Sequence, residues 1–278
     1  MSEATGISVL MAVWAGDRPE WVRAALASVR AQTLPATQVV IVQDGPVSAD
    51  LAEVLVEAEE SLPVSLLVLA ANGGLAAALQ AGLARCAHEL VARVDADDVC
   101  VPDRFERQAR VMAAQPDLSV LGGYVAEFET DPDRPYAVRD VPVGRAQVQR
   151  VARWRAPVNH PTAMLRRSHV LAVGGYSGFV GIEDYFLWGK LLAAGRSLDN
   201  LPDVLVKMRA GAALGRRRGG WRYLRVEAAL FRRFVQIGFL TPGQAVVGLA
   251  MRLPLRVVPA PLRSWVYRRL LRRPVPGE

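Results

Sequence analysis

The sequence predicts an α/β domain built on a mostly parallel sheet flanked by helices, with a basic helical extension at its C-terminal end. Three observations carry that expectation. Short β-branched runs alternate with helical patterns over residues 7–98, and a βαβαβαβ rhythm of this kind builds a parallel sheet covered on both faces. Half of the 278 residues are apolar (51%), enough for one large domain with an appendage or for two small ones. The alternation is then lost near residue 210, where arginine becomes frequent.

The elements follow in order. ISVLMAV (7–13) is strand-like, and Pro19 to Gln32 places Trp21, Val22, Ala25, Leu26 and Val29 at helical spacing. QVVIVQD (38–44) is a second strand; Ser48 is an N-cap type for the helix LAEVLVEAEE, and VSLLVLA (64–70) is a third strand. Asn72-Gly73-Gly74 turns into a helix over Leu75–Ala87, and ELVARVDADD (89–98) is a fourth strand running to an acidic end. In such sheets ligands bind beyond the carboxyl ends of the strands, so Asp44 and Asp95–Asp98 fall on one rim. The second half predicts a helix over 102–114, strands at 118–128 and 137–143, and a helix near 144–153. A loop at 156–161, a strand at 162–166, a helix over 181–195 and a last strand at 201–209 complete it. Arg216–Gly220 reads as a linker, and 221–238 and the Pro-punctuated stretch 242–273 read as helical, dividing the chain into a domain of 1–210 and an extension of 211–278.

Charge is unevenly placed. Residues 1–203 carry 18 Arg/Lys against 25 Asp/Glu, whereas 204–278 carry 16 against 2. An acidic body argues against nucleic acid on the main domain and puts any anionic partner at the tail. Cys86 and Cys100 have no metal-ligand or disulfide-framework spacing. Glu3 stands where a signal peptide needs positive charge, so the N-terminus is expected to be a buried strand and the catalytic part to stay in the cytoplasm. The longest apolar stretch of the tail, 245–255, is broken by Arg252 and Pro254 and falls short of the roughly 20 residues of a spanning helix.

The strongest chemical signal is VDADDVCVPDRFERQ (94–108). Asp95, Asp97 and Asp98 at the end of a buried strand repel one another unless a hard cation compensates them, and the spacing suits Mg²⁺ or Mn²⁺. Strand alternation puts Asp95 and Asp97 on one face, with Asp98 opening the turn. Taken alone, the cluster reads equally as a solvated cap on the next helix.

In order along the chain, SVLMAVWAGDRPEWVRAALASVRAQT (8–33), VVIVQDGP (39–46), NGGLAAALQAGL (72–83), ARVDADDVCVPDRFERQ (92–108), VNHPTAMLRRS (158–168) and EDYFLWGKLLAAG (183–195) resemble the family 2 glycosyltransferases of the GT-A (Rossmann-like) fold, and within them the bacterial exopolysaccharide enzymes of the amylovoran type. The resemblance implies a metal-dependent, inverting transfer of a sugar from a nucleotide-sugar to a hydroxyl of a glycan or lipid-linked acceptor. It implies that Ala12, Val13 and Trp14 flank the nucleotide base and that Asp44 hydrogen-bonds a uracil imide; the usual acid pair is here Gln43-Asp44, which leaves Gln43 unassigned. Asn72 and Gly74 would let the backbone approach the diphosphate, with Arg93 facing the same pocket. Asp95 would touch the ribose and Asp97 bind the metal, with Asp98 a second candidate ligand. Of Glu183-Asp184, the resemblance assigns the general base to Asp184 and leaves Glu183 to bind sugar or acceptor hydroxyls. Without the upstream motifs, that pair reads as acids on a helix macrodipole.

Several residues carry weaker expectations. His160 either points into the acceptor site or holds its loop, Trp154 is a candidate acceptor platform, and Trp188 reads as core. The tail, with Trp221, Phe231, Phe234, Phe239, Leu249, Leu253, Leu262, Trp265 and Leu270 among arginines, is expected to lie on the inner face of a membrane without spanning it. Two rivals are a nucleotidyltransferase, which needs a Gly-rich basic loop after the first strand that VWAGDRPE does not supply, and a non-enzymatic membrane-surface module.

Overall fold

The structure, a computed structural model, describes residues 6–179, 181–210 and 221–257. The first half runs β1 (Ile7–Val13), α1 (Pro19–Arg30), β2 (Gln38–Asp44), α2 (Ala49–Ser61), β3 (Val64–Leu69), α3 (Leu75–Arg85) and β4 (Leu90–Asp95). The four strands lie side by side in the order β3-β2-β1-β4, all parallel. Period-two alternation divides their side chains between two layers. Val9, Met11 and Val13 of β1 face α1 and α2 with Val22, Leu26, Leu51 and Leu55, while Leu10 faces α3 with Ala78, Leu79 and Leu83. Local chemistry starts the helices: Pro19 opens α1, and the Ser48 hydroxyl accepts the Leu51 N–H at the head of α2.

Because β1 has β2 on one side and β4 on the other, the winding reverses between them. Such a reversal opens a crevice at the carboxyl ends of the strands. Its walls are in register there, Ala12 opposite Asp95 and Val13 opposite Gln43.

The second half is mixed. It contains β5 (Val99–Cys100), α4 (Arg104–Ala114), β6 (Leu118–Phe128), β7 (Ala137–Arg139), α5 (Arg145–Ala152), a 3₁₀ turn (His160–Thr162), β8 (Met164–Arg166), α6 (Arg167–Ala172), α7 (Glu183–Ala193) and β9 (Ser197–Arg209). β8 joins β4 to β6 in antiparallel fashion, β6 and β9 are parallel, and β5 returns antiparallel to β9. Where the sequence places a strand at 162–166, Thr162 instead closes the 3₁₀ turn, its hydroxyl donating to Asn159 O at 2.7 Å, so β8 begins only at Met164. β9 starts four residues before the expected Leu201, because the polar run Ser197–Asn200 pairs with Leu118–Gly122.

Two further helices, α8 (Trp221–Gln236) and α9 (Pro242–Val257), pack on α7. Gly189 of α7 is what admits them: a Cβ there would collide with the Phe234 ring. Phe234 also meets Tyr185, Phe186, Phe231 and Phe239 edge-on or tilted, at centroid distances of 4.9–6.1 Å. Arg252 ties α9 down. Its Nε donates to the buried Glu227 carboxylate at 3.1 Å, its Nη2 to Trp154 O at 2.5 Å, and its guanidinium lies over Phe231. This corrects part of the expectation for the tail, since Phe231 and Phe234 are fully buried and pack inward, Phe234 against α7 and Phe231 against Gly248 and Arg252 of α9. Among the described side chains of α9, Val246, Val247, Met251 and Leu253 are the large apolar ones exposed. No helix among the described residues is long and apolar enough to cross a membrane. The Arg216–Gly220 linker and Leu262, Trp265 and Leu270 lie outside the described residues.

Candidate active site

The rim of the crevice is built from three strand ends. After β1, Trp14 stands exposed on a turn closed by two bonds, Trp14 N–H to Asp17 Oδ2 at 2.9 Å and Asp17 N–H to Trp14 O at 3.0 Å. Val13 departs from the expectation that its side chain flanks a base: it is buried in the α1–α2 layer, because alternation points it away from Ala12 and Trp14. After β2, the buried Asp44 accepts Gly73 N–H at 2.7 Å and Gly74 N–H at 2.9 Å, one on each carboxylate oxygen, and Asn72 Nδ2 donates to its carbonyl. Gln43, left unassigned by the sequence, donates through Nε2 to Gly45 O at 3.0 Å. Gly45 sits at φ +85° with Asn72 N only 2.7 Å from where a Cβ would be, so only glycine lets the two turns approach. The carboxylate that the resemblance puts at a uracil thus also clamps this turn, one acceptor position on each oxygen being used. Gly74, at φ +84°, faces open space in which a ligand backbone approach stays free.

After β4 come the three acids. β4 ends at Asp95, and Asp98 folds inward, becoming the most buried of the set, where Arg209 N–H of β9 donates to its Oδ1 at 2.8 Å. Burial, then the charges of Asp95 and Asp17, pushes Asp97 up to about 6. Burial and the charges of Asp95 and Asp97 push Asp98 well above the usual carboxylate range. Asp17, which no sequence motif singles out, is also pushed up to about 6, by burial and then by Asp95. A divalent cation fits this set on two counts. Each acid offers an oxygen within 4.8 Å of the others, a spread that one ion with oxygen ligands at roughly 2.1–2.6 Å spans. In addition, Asp98 Oδ2 is buried without a hydrogen-bond partner, a costly state that a cation relieves.

Arg93 and Asp95 point to the same face of β4, two residues apart. The Arg93 guanidinium is buried and holds both Asp95 oxygens. Beside it lies Tyr176, whose hydroxyl is pushed up in pKa by burial and interacts with the charges of Arg93, Asp184, Glu183 and Asp95. That set of interactions brings the first turn of α7 to the acidic crevice. Glu183 is buried and raised in pKa by burial, then by Asp184, while Asp184 is half-buried at the same helix start. His160 shares a 2.9 Å hydrogen bond between Nε2 and the Tyr176 hydroxyl and packs edge-on against Trp188. Burial and the neighbouring Arg93 hold it far below its ordinary pKa, hence neutral. The bond that the structure shows is neither expected role: His160 braces Tyr176 side chain to side chain, rather than holding its own loop by a backbone hydrogen bond. Trp154 is half-buried, and its carbonyl is bound by Arg252. Trp188 is core, as expected. Tyr176 was missed, although the glycines around it in GGYSGF mark a backbone needing positive φ.

A switch-point crevice with an acidic triad on one wall and a helix-borne acid pair on the other defines the GT-A type of glycosyltransferase. Solved structures agree on that fold. Residues 1–349 of S. aureus TarS in complex with UDP-GlcNAc superimpose with a TM-score of 0.65 over 89% of this chain and 71% of that one, at 16% identity. Mannosyltransferase PcManGT from Pyrobaculum calidifontis, in complex with GDP-Man and Mn²⁺, gives 0.64 over 97% and 81%, also at 16% identity. The chain belongs to glycosyl transferase family 2, whose sequence profile matches residues 8–174. It is 35% identical to the amylovoran biosynthesis glycosyltransferase AmsE of Erwinia amylovora over 94% of this chain and 97% of that one. It is 34% identical to the UDP-Gal:alpha-D-GlcNAc-diphosphoundecaprenol beta-1,3-galactosyltransferase of Escherichia coli over 96% of each. The nucleotidyltransferase and non-enzymatic readings are set aside by this membership.

Proposed function

We propose that this glycosyltransferase moves a sugar from a UDP-sugar, with inversion and with Mn²⁺ or Mg²⁺, onto a hydroxyl of a lipid-linked glycan in surface polysaccharide assembly. The observation that carries the reading is the placement of the Asp95–Asp97–Asp98 cluster and the Glu183–Asp184 pair around one buried Arg93–Tyr176 centre. Asp97 and Asp98, assisted by Asp95, would hold the cation, which would supply counter-charge to a departing diphosphate. Trp14, Ala12 and the Asp44 turn form the nucleotide side of the crevice. Asp184 accepts the proton of the attacking hydroxyl at a carboxylate oxygen, and the buried Glu183 positions sugar hydroxyls beside it. Arg93 fixes Asp95, and His160 fixes Tyr176, so the chain's own polar groups are set before substrates arrive.

The E. coli relative, whose name gives UDP-Gal as donor and a diphosphoundecaprenol-linked GlcNAc as acceptor, supports the donor and acceptor classes. Residues 1–210 form the catalytic domain, and 211–278 a basic extension lying on the inner face of the cell membrane. The exposed Val246, Val247, Met251 and Leu253 of α9 support that contact. A screen of nucleotide-sugars with Mn²⁺ and Mg²⁺ tests the reading: UDP release from one of them is expected, and Asp97→Ala abolishes it. Full turnover in excess EDTA, or release of pyrophosphate instead of UDP, would overturn it.

A further inference from the structure

Almost wholly outside the residues that the family profile matches lies a cleft of about 1100 Å³ between the 173–179 segment, α7 and α8. Its apolar wall is Val173, Phe179, Phe186, Ala228 and Ala229, and its charged groups are Lys190, Arg232 and Arg233. No acid lines it. Lys190 Nζ donates to Gly175 O and Ser177 Oγ and lies 5.4 Å from the Phe186 ring centroid; Arg233 donates to Gln236 Oε1 at 3.2 Å. Among the described residues none of the three cations has a carboxylate partner. Three uncompensated positive charges against an apolar wall complement an anion that carries a hydrocarbon chain.

The cleft and the reaction centre are built on two shared stretches of chain. Glu183, Phe186 and Lys190 follow one stripe of α7 at i, i+3 and i+7, which puts Lys190 roughly 10 Å along the helix from Glu183. The 173–179 segment makes the same passage, sending Tyr176 into the crevice and Ser177 to Lys190. That separation suits a molecule whose sugar hydroxyl meets the acid pair while the phosphates on its anomeric oxygen reach the cations.

Resting on the acceptor class proposed above, we infer that the Lys190–Arg232–Arg233 cleft binds the diphosphate and first isoprenoid units of a polyprenyl-diphosphate-linked acceptor. The guanidinium groups bind the phosphate oxygens, and Phe179, Phe186 and the two alanines bind the chain.

Calorimetry in EDTA, where no cation bridges phosphate to the acidic triad, tests the cleft directly with farnesyl diphosphate, farnesol and inorganic pyrophosphate. The wild-type chain is expected to bind farnesyl diphosphate more tightly than either of the others. Arg232→Gln and Arg233→Gln, both on the exposed side of α8 and so compatible with the fold, each weaken it by about tenfold or more. Unchanged affinity in the double variant overturns the inference. So does a double variant that loses binding to phosphatidylglycerol vesicles yet keeps its affinity for farnesyl diphosphate, because the arginines then serve the bulk membrane. Donor turnover is measured on the same samples. Cleft binding without UDP release would sink the proposed function alone, and UDP release without cleft binding would sink this inference alone.

Discussion

Asp184 is where mechanism is tested most directly. Asp184→Asn keeps the shape of the side chain but cannot take the acceptor's proton, so kcat should fall by roughly 10²–10⁴-fold while donor affinity survives. Were it only a helix-terminus acid, the change would cost a few tenths of a kcal/mol in stability and leave transfer intact. Asp44 makes the opposite kind of prediction. Its carboxylate holds two glycine N–H groups, so Asp44→Ala should destabilise the fold by about 2–3 kcal/mol in denaturant unfolding, with Asp44→Asn recovering part of the loss. A variant of normal stability with a raised donor KM would show instead that Asp44 spends itself on the nucleotide. At this scale the acids were legible because unpaired carboxylates after an apolar strand demand an explanation. Tyr176 and Asp17 were not, because what makes each of them matter is burial beside charges from distant strands and helices. No local spacing encodes that.

Among the elements, β1 to β4 were read to within a residue or three at each end, since apolar runs and turn residues write them locally. The misreadings cluster where pairing is remote. Ser197–Asn200 becomes strand only because β6 lies alongside it, and α6 is a short helix whose apolar pattern is too brief to register. The tail shows the same limit: its period was legible, but the faces that Phe234 and Phe231 seek depend on Gly189 of α7 and Gly248 of α9. Gly189→Ala should therefore be more than a propensity change. The added Cβ meets a ring already hemmed in by four aromatic neighbours, so the substitution should destabilise the α7–α8 contact by about 1–3 kcal/mol, measured by thermal or chemical unfolding. Arg252→Ala should cost about 2–3 kcal/mol, because it removes the charge-assisted bond to the buried Glu227 and the bond to Trp154 O together.

For the whole molecule, the acidic crevice makes stability depend on pH and metal together. Asp97 and Asp17 have folded pKa values of about 6, above their ordinary 3.8, so the folded state binds more protons than the unfolded one between those values. Stability without metal is then fullest below pH 3.8 as far as these two groups are concerned, and falls as pH rises through about 6. Mn²⁺ should restore much of that loss, and melting curves at about pH 4, 5, 6 and 7 with and without the ion would show it. A metal-free protein whose stability from these groups rises over that range would refute the arrangement. Elsewhere the fold keeps its thiols out of reach. Cys86 is buried and pushed up to about 12 by that burial, so alkylation at about pH 8 should proceed at the rate of global unfolding.

The cleft has one wall from α7 and one from α8, and both helices lie after the last residue of the family profile, at 174. With the cleft assigned as inferred above, donor and acceptor recognition would be written on successive stretches of chain, the first on the strands up to β5 and the second from Val173 onward. Such a layout lets inheritance act on them separately. Recombination between relatives at the Gly174–Gly175 turn, a glycine pair at positive φ just before Tyr176, would exchange what receives the sugar while leaving the choice of nucleotide with the parent. A lineage could diversify its surface glycans by shuffling one half of a gene.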